Sequence, residues 1–474
     1  MKISDMTPDD WAMSLSRELD NVTPHLETLN LRYEGKPPIA FLHPAIAAEL
    51  GERLQQVVIN WPRLVVGALE ERLDVTGFRV PGDDSTGTRG KELWRIWKAN
   101  RMATGSQQAH VDAMVMGRSY IVVGSNPDDA DTPLMTVESP RQMIASHDPA
   151  TRKVRAAFKR YVDRDPITGS IMAQYGALYL PDATYQYSRL GNGAWQISDQ
   201  DEHKLGRPPV AELLNQPRIM NPMGASELAD VIPLADAASK AATDMMISAE
   251  FHAMPRRYAL GFSEDDFTDE DGNPLNRWQQ IAGAVWSTER TNRDDGVQVG
   301  QFPEAQLSNF HSTINLLAQL VGSLSGLPAH YMGQATDNPP SADSIRSNEA
   351  RLVKRSERRC GSYGEGHEDA QRIGQRIVTG RWEPELMGLE TIWRNPATPT
   401  YAQMADAVVK LVSQGILPIE MAWEQLEYSP EQIARMRAMQ DDAVTRVTEA
   451  DLRALTTAAP QPPTGALEPA RTVQ

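Results

Sequence analysis

The residues that could do chemistry fall short of it one by one. Gly90-Lys91-Glu92 is the nearest approach to a phosphate-binding loop. Such a loop needs a glycine five residues ahead of the Gly-Lys pair and a Ser or Thr after it, to cradle phosphates and hold Mg²⁺. This chain has Ser85 and Glu92 there, so no ATP-driven chemistry is expected. His367-Glu368 begins like a zinc-protease helix, but Gln371 stands where the second zinc ligand belongs. Gly322-Ser323-Leu324-Ser325-Gly326 puts leucine where a nucleophile elbow needs serine. The acidic run 264–271 has no register that sets ligands at loop positions 1, 3 and 5 of an EF-hand. The nine histidines show no metal-ligand spacing, and Cys360 is the single cysteine. The expectation is a non-enzyme with no metal and no cofactor, although a triad dispersed along the chain would escape this reading.

The elements around these residues carry more information. A long helix is expected over 224–254, opened by Ser226 and ended by Pro255. Leu228, Val231, Ile232, Ala235, Ala238, Ala242, Met245, Met246 and Ala249 recur along it at helical spacing. Its alanines would let another backbone approach closely, and Asp236, Lys240 and Asp244 form a mixed-charge stripe at i, i+4 spacing. A buried core helix and a helix packed against copies of itself both fit. An acidic surface excursion follows, SEDDFTDEDG at 263–272, then a strand-like run Ala282–Trp286 and a second helix over 303–324. A Pro- and Gly-rich loop over 325–340 leads to a third helix capped by Ser341. Between Arg346 and Arg359 that helix carries six basic residues (Arg346, Arg351, Lys354, Arg355, Arg358, Arg359) against Glu349 and Glu357, a local charge of +4. Arg351, Lys354, Arg355 and Arg358 share one helical face.

The order of these elements, with HKLGRPPVAELLNQPR (203–218), GASELADVIPLADAASKAATDMMISAEFHAMPRRYALG (224–261) and LSGLPAHYMGQATDNPPSADSIRSNEARLVKRSERR (324–359), resembles the portal proteins of tailed bacteriophages. The likeness is to the branch from long-tailed phages of actinobacteria and other Gram-positive hosts, and covers about 1–450.

Bulk properties agree with a large structural protein. The 474 residues allow two or three domains. With 41% hydrophobic and 23% charged residues the composition is that of a globular chain. No apolar run is long enough to cross a membrane, and the acidic N-terminus has no signal-peptide core. One thiol gives no disulfide framework and suits a reducing compartment. A net charge of −16 opposes tight, sequence-independent DNA binding over the whole surface, which needs Lys and Arg to neutralise phosphates. It does not oppose a surface that DNA slides past.

From the N-terminus, Thr7-Pro8-Asp9-Asp10 reads as a capped helix start, and Pro24 is expected to kink or restart that helix. A helix is expected to restart near Pro62, and another to run from about Gln107 to Met116 into a strand Ile121–Val123. Residues 134–200 are strand-rich, with Val154–Val162 alternating as a half-exposed antiparallel strand and Tyr175, Tyr179, Tyr185 and Tyr187 continuing the sheet. Gly361, Gly364 and Gly366 are expected to kink or break the basic helix before it resumes over 368–378. Tyr401, Met404, Val408 and Val412 mark an amphipathic helix, Ser429-Pro430 opens another, and 457–474 is expected to be disordered.

The resemblance implies an α+β, mainly α, portal-type subunit with long stem helices, a mixed α/β wing, a small α/β clip and a helical C-terminal crown. On this chain that implies a wing over 1–223, with its β-rich part at 118–200, and stem helices at 224–254 and 303–325. The clip would lie at 255–302, a tunnel loop at 326–340, the kinked basic helix at 341–380, a return to the wing at 381–400 and the crown at 401–456. Twelve copies would form a ring at the capsid vertex, assembled in the host cytoplasm, through which double-stranded DNA enters and leaves. Gln334, Asp337, Asn338, Arg351, Lys354, Arg355 and Arg358 would face the DNA. Asp236, Lys240 and Asp244 would lie on the stem. Glu264, Asp265, Asp266, Asp269, Glu270 and Asp271 would meet the terminase large subunit and later the head–tail adaptor. Major capsid and scaffold proteins would be further partners. Two other readings stay open at this point. One is a capsid or neck protein with no channel, and the other is a soluble hydrolase or nuclease. Lys354 and Arg355 could also bridge to Asp236 or Asp244 of a neighbouring copy instead of touching phosphate.

Overall fold

The computed structural model describes residues 6–38, 56–83, 87–189, 193–252, 257–260, 298–301, 307–333, 342–397, 401–426, 428 and 432–442. It divides into two compact units, 1–397 and 398–474.

The first helix, α1 (Pro8–Tyr33), starts where the sequence sets it. The Thr7 hydroxyl accepts from the Asp10 backbone N–H at 3.3 Å, and the Asp10 carboxylate accepts from the Thr7 N–H at 2.9 Å. Those bonds satisfy donors that a helix start otherwise leaves bare. Replacing Thr7 with Ala is expected to cost about 1 kcal/mol of stability, read as a lowered thermal midpoint. Pro24 lies inside α1, which continues past it without restarting. It removes one backbone donor, while Thr28 on the next turn bonds the Pro24 carbonyl at 2.9 Å and Thr23 bonds Leu19 at 2.6 Å. Burial of Leu15, Leu19, Leu26 and Leu29 along one side outweighs the lost bond.

After α2 (Trp61–Glu70), capped by Asn60, come strand β1 (Val75–Arg79) and helices α3 (Thr88–Ala99) and α4 (Met102–Met116). Trp94 and Trp97 lie inside α3, and α4 begins five residues before the expected Gln107. Gly117, at φ +90°, turns α4 into β2 (Arg118–Gly124). With β3 (Leu134–Glu138) and β9 (Val210–Leu214), β2 makes a three-stranded antiparallel sheet in the order β3-β2-β9.

Between β3 and β9 the chain winds a five-stranded antiparallel meander. Its strands are β4 (Met143–His147), β5 (Val154–Arg164), β6 (Ile171–Tyr179), β7 (Thr184–Arg189) and β8 (Gln196–Asp201). The expected half-exposed alternation on β5 is not seen: Tyr161 to Arg164 at its far end are all exposed. At its near end Ala156, Ala157 and Phe158 are all buried. Ala156 and Phe158 pack with Leu15 and Leu19 of α1, while Ala157 packs with Tyr120 and Val210 on the other side. Alanine suits a strand covered on both faces, because little space remains on either.

The long helix after the meander starts at Ile232, not at Ser226: α5 spans Ile232–His252. A start at Ser226 would bury Pro233 in a helix interior without its N–H. At the second helical position that loss is free. Ser226 instead accepts from Leu228 N–H at 3.1 Å in the turn before the helix. Strands β10 (Arg257–Leu260) and β11 (Gln298–Gln301) pair antiparallel beyond α5. Helix α6 (Ser308–Ser325) then returns to pack on α5 and ends at Gly326, φ +73°. The strand-like run 282–286, Pro255, Pro303, Ser341 and the tail 457–474 lie outside the described residues.

Helix α7 (Ala342–Thr379) is 38 residues long and runs through all three glycines without a break. Packing explains one of them. A Cβ on Gly366 would sit 2.4 Å from the Glu212 carbonyl oxygen of β9. That glycine lets a strand lie close against a continuous helix, and the lost propensity is offset by that contact. Strand β12 (Glu390–Trp393) then pairs with β1.

In the second unit, α8 (Tyr401–Ser413) packs with α9 (Ile419–Gln425), and Arg437 reaches Glu420 at 3.2 Å.

Candidate functional site

The α5–α6 hairpin stands on a root where four chain segments meet. Gly117 and Gly224 both adopt left-handed backbone, at φ +90° and +81°. Around them, Asn215 N–H donates to the Gly117 carbonyl at 2.9 Å and Ala225 N–H to the Asn215 carbonyl at 2.8 Å. Glu227 N–H donates to Met114 at 2.8 Å, and the Ser226 hydroxyl to Val115 at 2.5 Å. The Asn215 side chain donates to Ala225 at 2.7 Å and accepts from the Tyr363 hydroxyl of α7 at 3.1 Å. Asn215 is fully buried, so its amide ties β9, α7 and the hairpin root together with its polar atoms satisfied.

Glu227, one residue further, is the electrostatic centre of the root. Its side chain is 1% exposed and binds Arg355 at 2.5 Å and Arg359, both on α7. Burial alone pushes the Glu227 carboxyl up, but Arg359 and Arg355 outweigh it and hold the acid below the usual range. Burial likewise pulls Arg355 down against the pull of Glu227, yet a guanidinium starts high enough to stay charged. Two guanidiniums thus share one carboxylate.

The four-residue basic face therefore divides. Arg355 is turned inward onto Glu227. Arg351 donates to the Ser323 carbonyl at 2.5 Å and to the Leu324 carbonyl, so it caps the C-terminal end of α6, where carbonyls lack partners and carry partial negative charge. Lys354, 67% exposed, pairs with Glu357 at 2.6 Å, and Arg358 is exposed. The mixed-charge stripe of α5 finds partners within the same chain. Asp236 binds Arg32 of α1, and Lys240 binds Asp244 one turn on. Burial raises the Asp236 pKa and Arg32 opposes it. Neither Asp236 nor Asp244 is bonded to the basic helix of its own chain; the acid there is Glu227, which the sequence reading does not single out. Gln334, Asp337, Asn338 and the six acids expected at the clip, Glu264, Asp265, Asp266, Asp269, Glu270 and Asp271, lie outside the described residues.

Sequence reasoning also misses a buried histidine pair. His110 of α4 and His367 of α7 meet Nε2 to Nε2 at 2.9 Å, both fully buried. Their signal was present. His367 lies on the apolar stripe of Tyr363, Ala370 and Ile373, and His110 beside Ala109, Ala113 and Met114. What spacing could not tell is that the two face each other across 257 residues of chain. Among the described residues no three His, Cys, Asp or Glu side chains converge as a metal site, and no helix is long and apolar enough to cross a membrane.

Sequence comparison supplies the class. The profile of the family described as phage portal protein, SPP1 Gp6-like, matches residues 14–446, and the chain belongs to that family. The match takes in the root, the hairpin and α7. Among its relatives are the portal protein of Mycobacterium phage D29 and that of Mycobacterium phage L5. Each is 33% identical over 411 residues, covering 84% of this chain and 82% of the relative.

Proposed function

We propose that this chain is the subunit of a homo-oligomeric ring, of twelve copies, at the unique vertex of a phage capsid. Double-stranded DNA passes through the ring during packaging and ejection. The observation that carries the reading is membership of the portal family over residues 14–446. In this assignment α5 and α6 are the stem, 255–302 is the clip and 326–340 is the loop nearest the DNA. The body before Gly224 is the wing and the helices after 400 are the crown. The clip acids dock the terminase large subunit during packaging and the head–tail adaptor afterwards, and the wing meets major capsid and scaffold proteins. The particle is built in the host cytoplasm.

The geometry supports a division of labour on α7. Arg351 and Arg355 hold the stem root, so contact with phosphates falls to exposed Lys354 and Arg358. A few basic groups in a chain of charge −16 give weak, salt-sensitive contact, which suits DNA that must keep moving.

The test is the mass of the purified protein with negative-stain images of the same sample. Rings of about a dozen copies with a hole of duplex width are expected; a compact monomer or dimer that no scaffold or capsid protein converts to rings overturns the reading. Lys354→Glu with Arg358→Glu is expected to leave rings intact and lower the DNA packaged per particle several-fold. Unchanged packaging would remove these two residues from the channel.

A further inference from the structure

The histidine pair does no work in the proposed channel, and its surroundings are unusual. His110 stacks on the Tyr363 ring at 5.0 Å and lies 5.6 Å from the Trp393 ring. His367 meets the Trp97 ring edge-on at 5.0 Å. The pair thus joins α4 to α7 inside an aromatic box completed by α3 and β12. Two neutral imidazoles make this contact with one proton: one Nε2–H donates and the other Nε2 accepts. Neither Nδ1 has a partner among the described residues.

Protonation has a definite course here. The first proton goes to the bare Nδ1 of the donor ring, which keeps the Nε2 bond but places a cation in the box. The second makes both Nε2 atoms donors, and two N–H groups cannot face each other at 2.9 Å. Charged groups on the surrounding elements are engaged elsewhere. On α7, Glu368 binds Arg372 and accepts from Thr391 N–H, and Arg359 binds Glu227. The Tyr363 hydroxyl is committed to Asn215, and the Cys360 thiol is pushed up to about 12 by burial. On α4, Asp112 is held toward Ser139 and Arg141. On α3, Glu92 binds Arg95, and Lys98 lies over Trp94. On β12 and just past it, Glu390 pairs with Arg79 and Arg394 with Asp74. On β9, Glu212 binds His147 through one oxygen, on β3 Glu138 binds Lys159, and on β2 Arg118 bonds the Tyr120 hydroxyl. Asp369 of α7 binds Arg207, Glu27 of α1 binds Arg141, and Arg72 just past α2 binds Glu349. Among the described residues no carboxylate is bonded to either imidazole, and the aromatic faces compensate the new charge only in part.

We propose that His110 and His367 form an acid-released latch that fastens α7 to α3, α4 and β12, so that falling pH opens this joint before the rest of the chain unfolds. Burial sets the direction: it lowers the His110 pKa well below normal, with His367 adding to the effect, and lowers His367 to about 3. A histidine depressed in the folded state stabilises fully above its unfolded value, about 6.5, and loses that contribution as pH falls below it. Each pH unit below that point favours the open joint by up to about tenfold for each histidine.

Hydrogen exchange on the full chain from pH 7.5 to 4.5, corrected for intrinsic rates, tests the latch. Protection of 102–116 and 360–379 is expected to fall tenfold or more between pH 7 and pH 5, while β4–β7 keep theirs. His367→Gln and His110→Gln, which cannot titrate, should flatten that dependence. The latch is overturned if both helices stay protected until every segment opens at one pH. It is equally overturned if a folded variant shows the acid response of the parent. Should neither variant fold, the parent's profile decides alone.

Discussion

Glu227→Gln is expected to destabilise the chain by about 3–5 kcal/mol. The substitution keeps the size and removes the charge, leaving Arg355 and Arg359 in the root with only a neutral oxygen between them. Arg359 is 7% exposed and Arg355 18%, so both guanidiniums are largely shielded from water. Thermal or denaturant unfolding of the purified chain measures the loss. A companion variant separates charge from packing. Glu227→Leu combined with Arg355→Met and Arg359→Met should recover much of the stability, because an apolar cluster leaves no buried charge unpaired. The acid is also distinct in pH from the histidine pair. A carboxyl held low in the folded state contributes fully above its unfolded value near 4 and loses that contribution as pH falls through its lowered folded value. Histidine effects should begin near pH 6.5 and this one only below about pH 4.

Gly224→Ala should be nearly as damaging, by a different route. At φ +81° any side chain is strained, by about 1–2 kcal/mol. The added Cβ would also lie 2.1 Å from the Gly117 carbonyl oxygen and 2.7 Å from that of Asn215. Both obstacles are backbone in a hydrogen-bonded knot, so the clash cannot be relieved by a rotamer change, and the total should exceed about 3 kcal/mol. Gly82→Ala is the control. Gly82 has φ +76° but open space around its Cβ position, so it should lose only the strain. A Gly224→Ala protein as stable as the Gly82→Ala protein would mean that the root is not rigid.

What could be read from the sequence was local or cumulative. The Thr7–Asp10 cap is a three-residue pattern, and the β meander over 143–201 is announced by alternation and turn residues. The portal resemblance rests on element order over most of the chain. The errors share a cause, which is tertiary contact overriding a local preference. Pro24 and Gly366 read as interruptions, but both helices run on through them, α1 over its buried leucines and α7 against β9. Arg355 could not be paired with Glu227, 128 residues away in sequence, before the fold was known. Helical phase puts Arg351, Lys354, Arg355 and Arg358 together but does not say which way that face turns. The histidine pair needed both α4 and α7 in position before it existed at all.

Arg355 and Arg359 hold the chain where it leaves for α5, and Arg351 holds it where α6 comes back. Arg351 and Arg355 are one turn apart on the same helix, about 6 Å along its axis. The whole excursion between Glu227 and Ser323 therefore departs and returns at neighbouring points, like a cassette plugged into a two-pin socket. The outer part of such a segment, beyond the stretch of α5 where Asp236, Ser239 and Thr243 bond Arg32, Ile59 and Val57, can be lengthened, shortened or exchanged without rethreading anything else, provided the pins stay. The part proposed to meet other proteins is then free to change with those proteins, while the socket on α7 and the body behind it stay as they are.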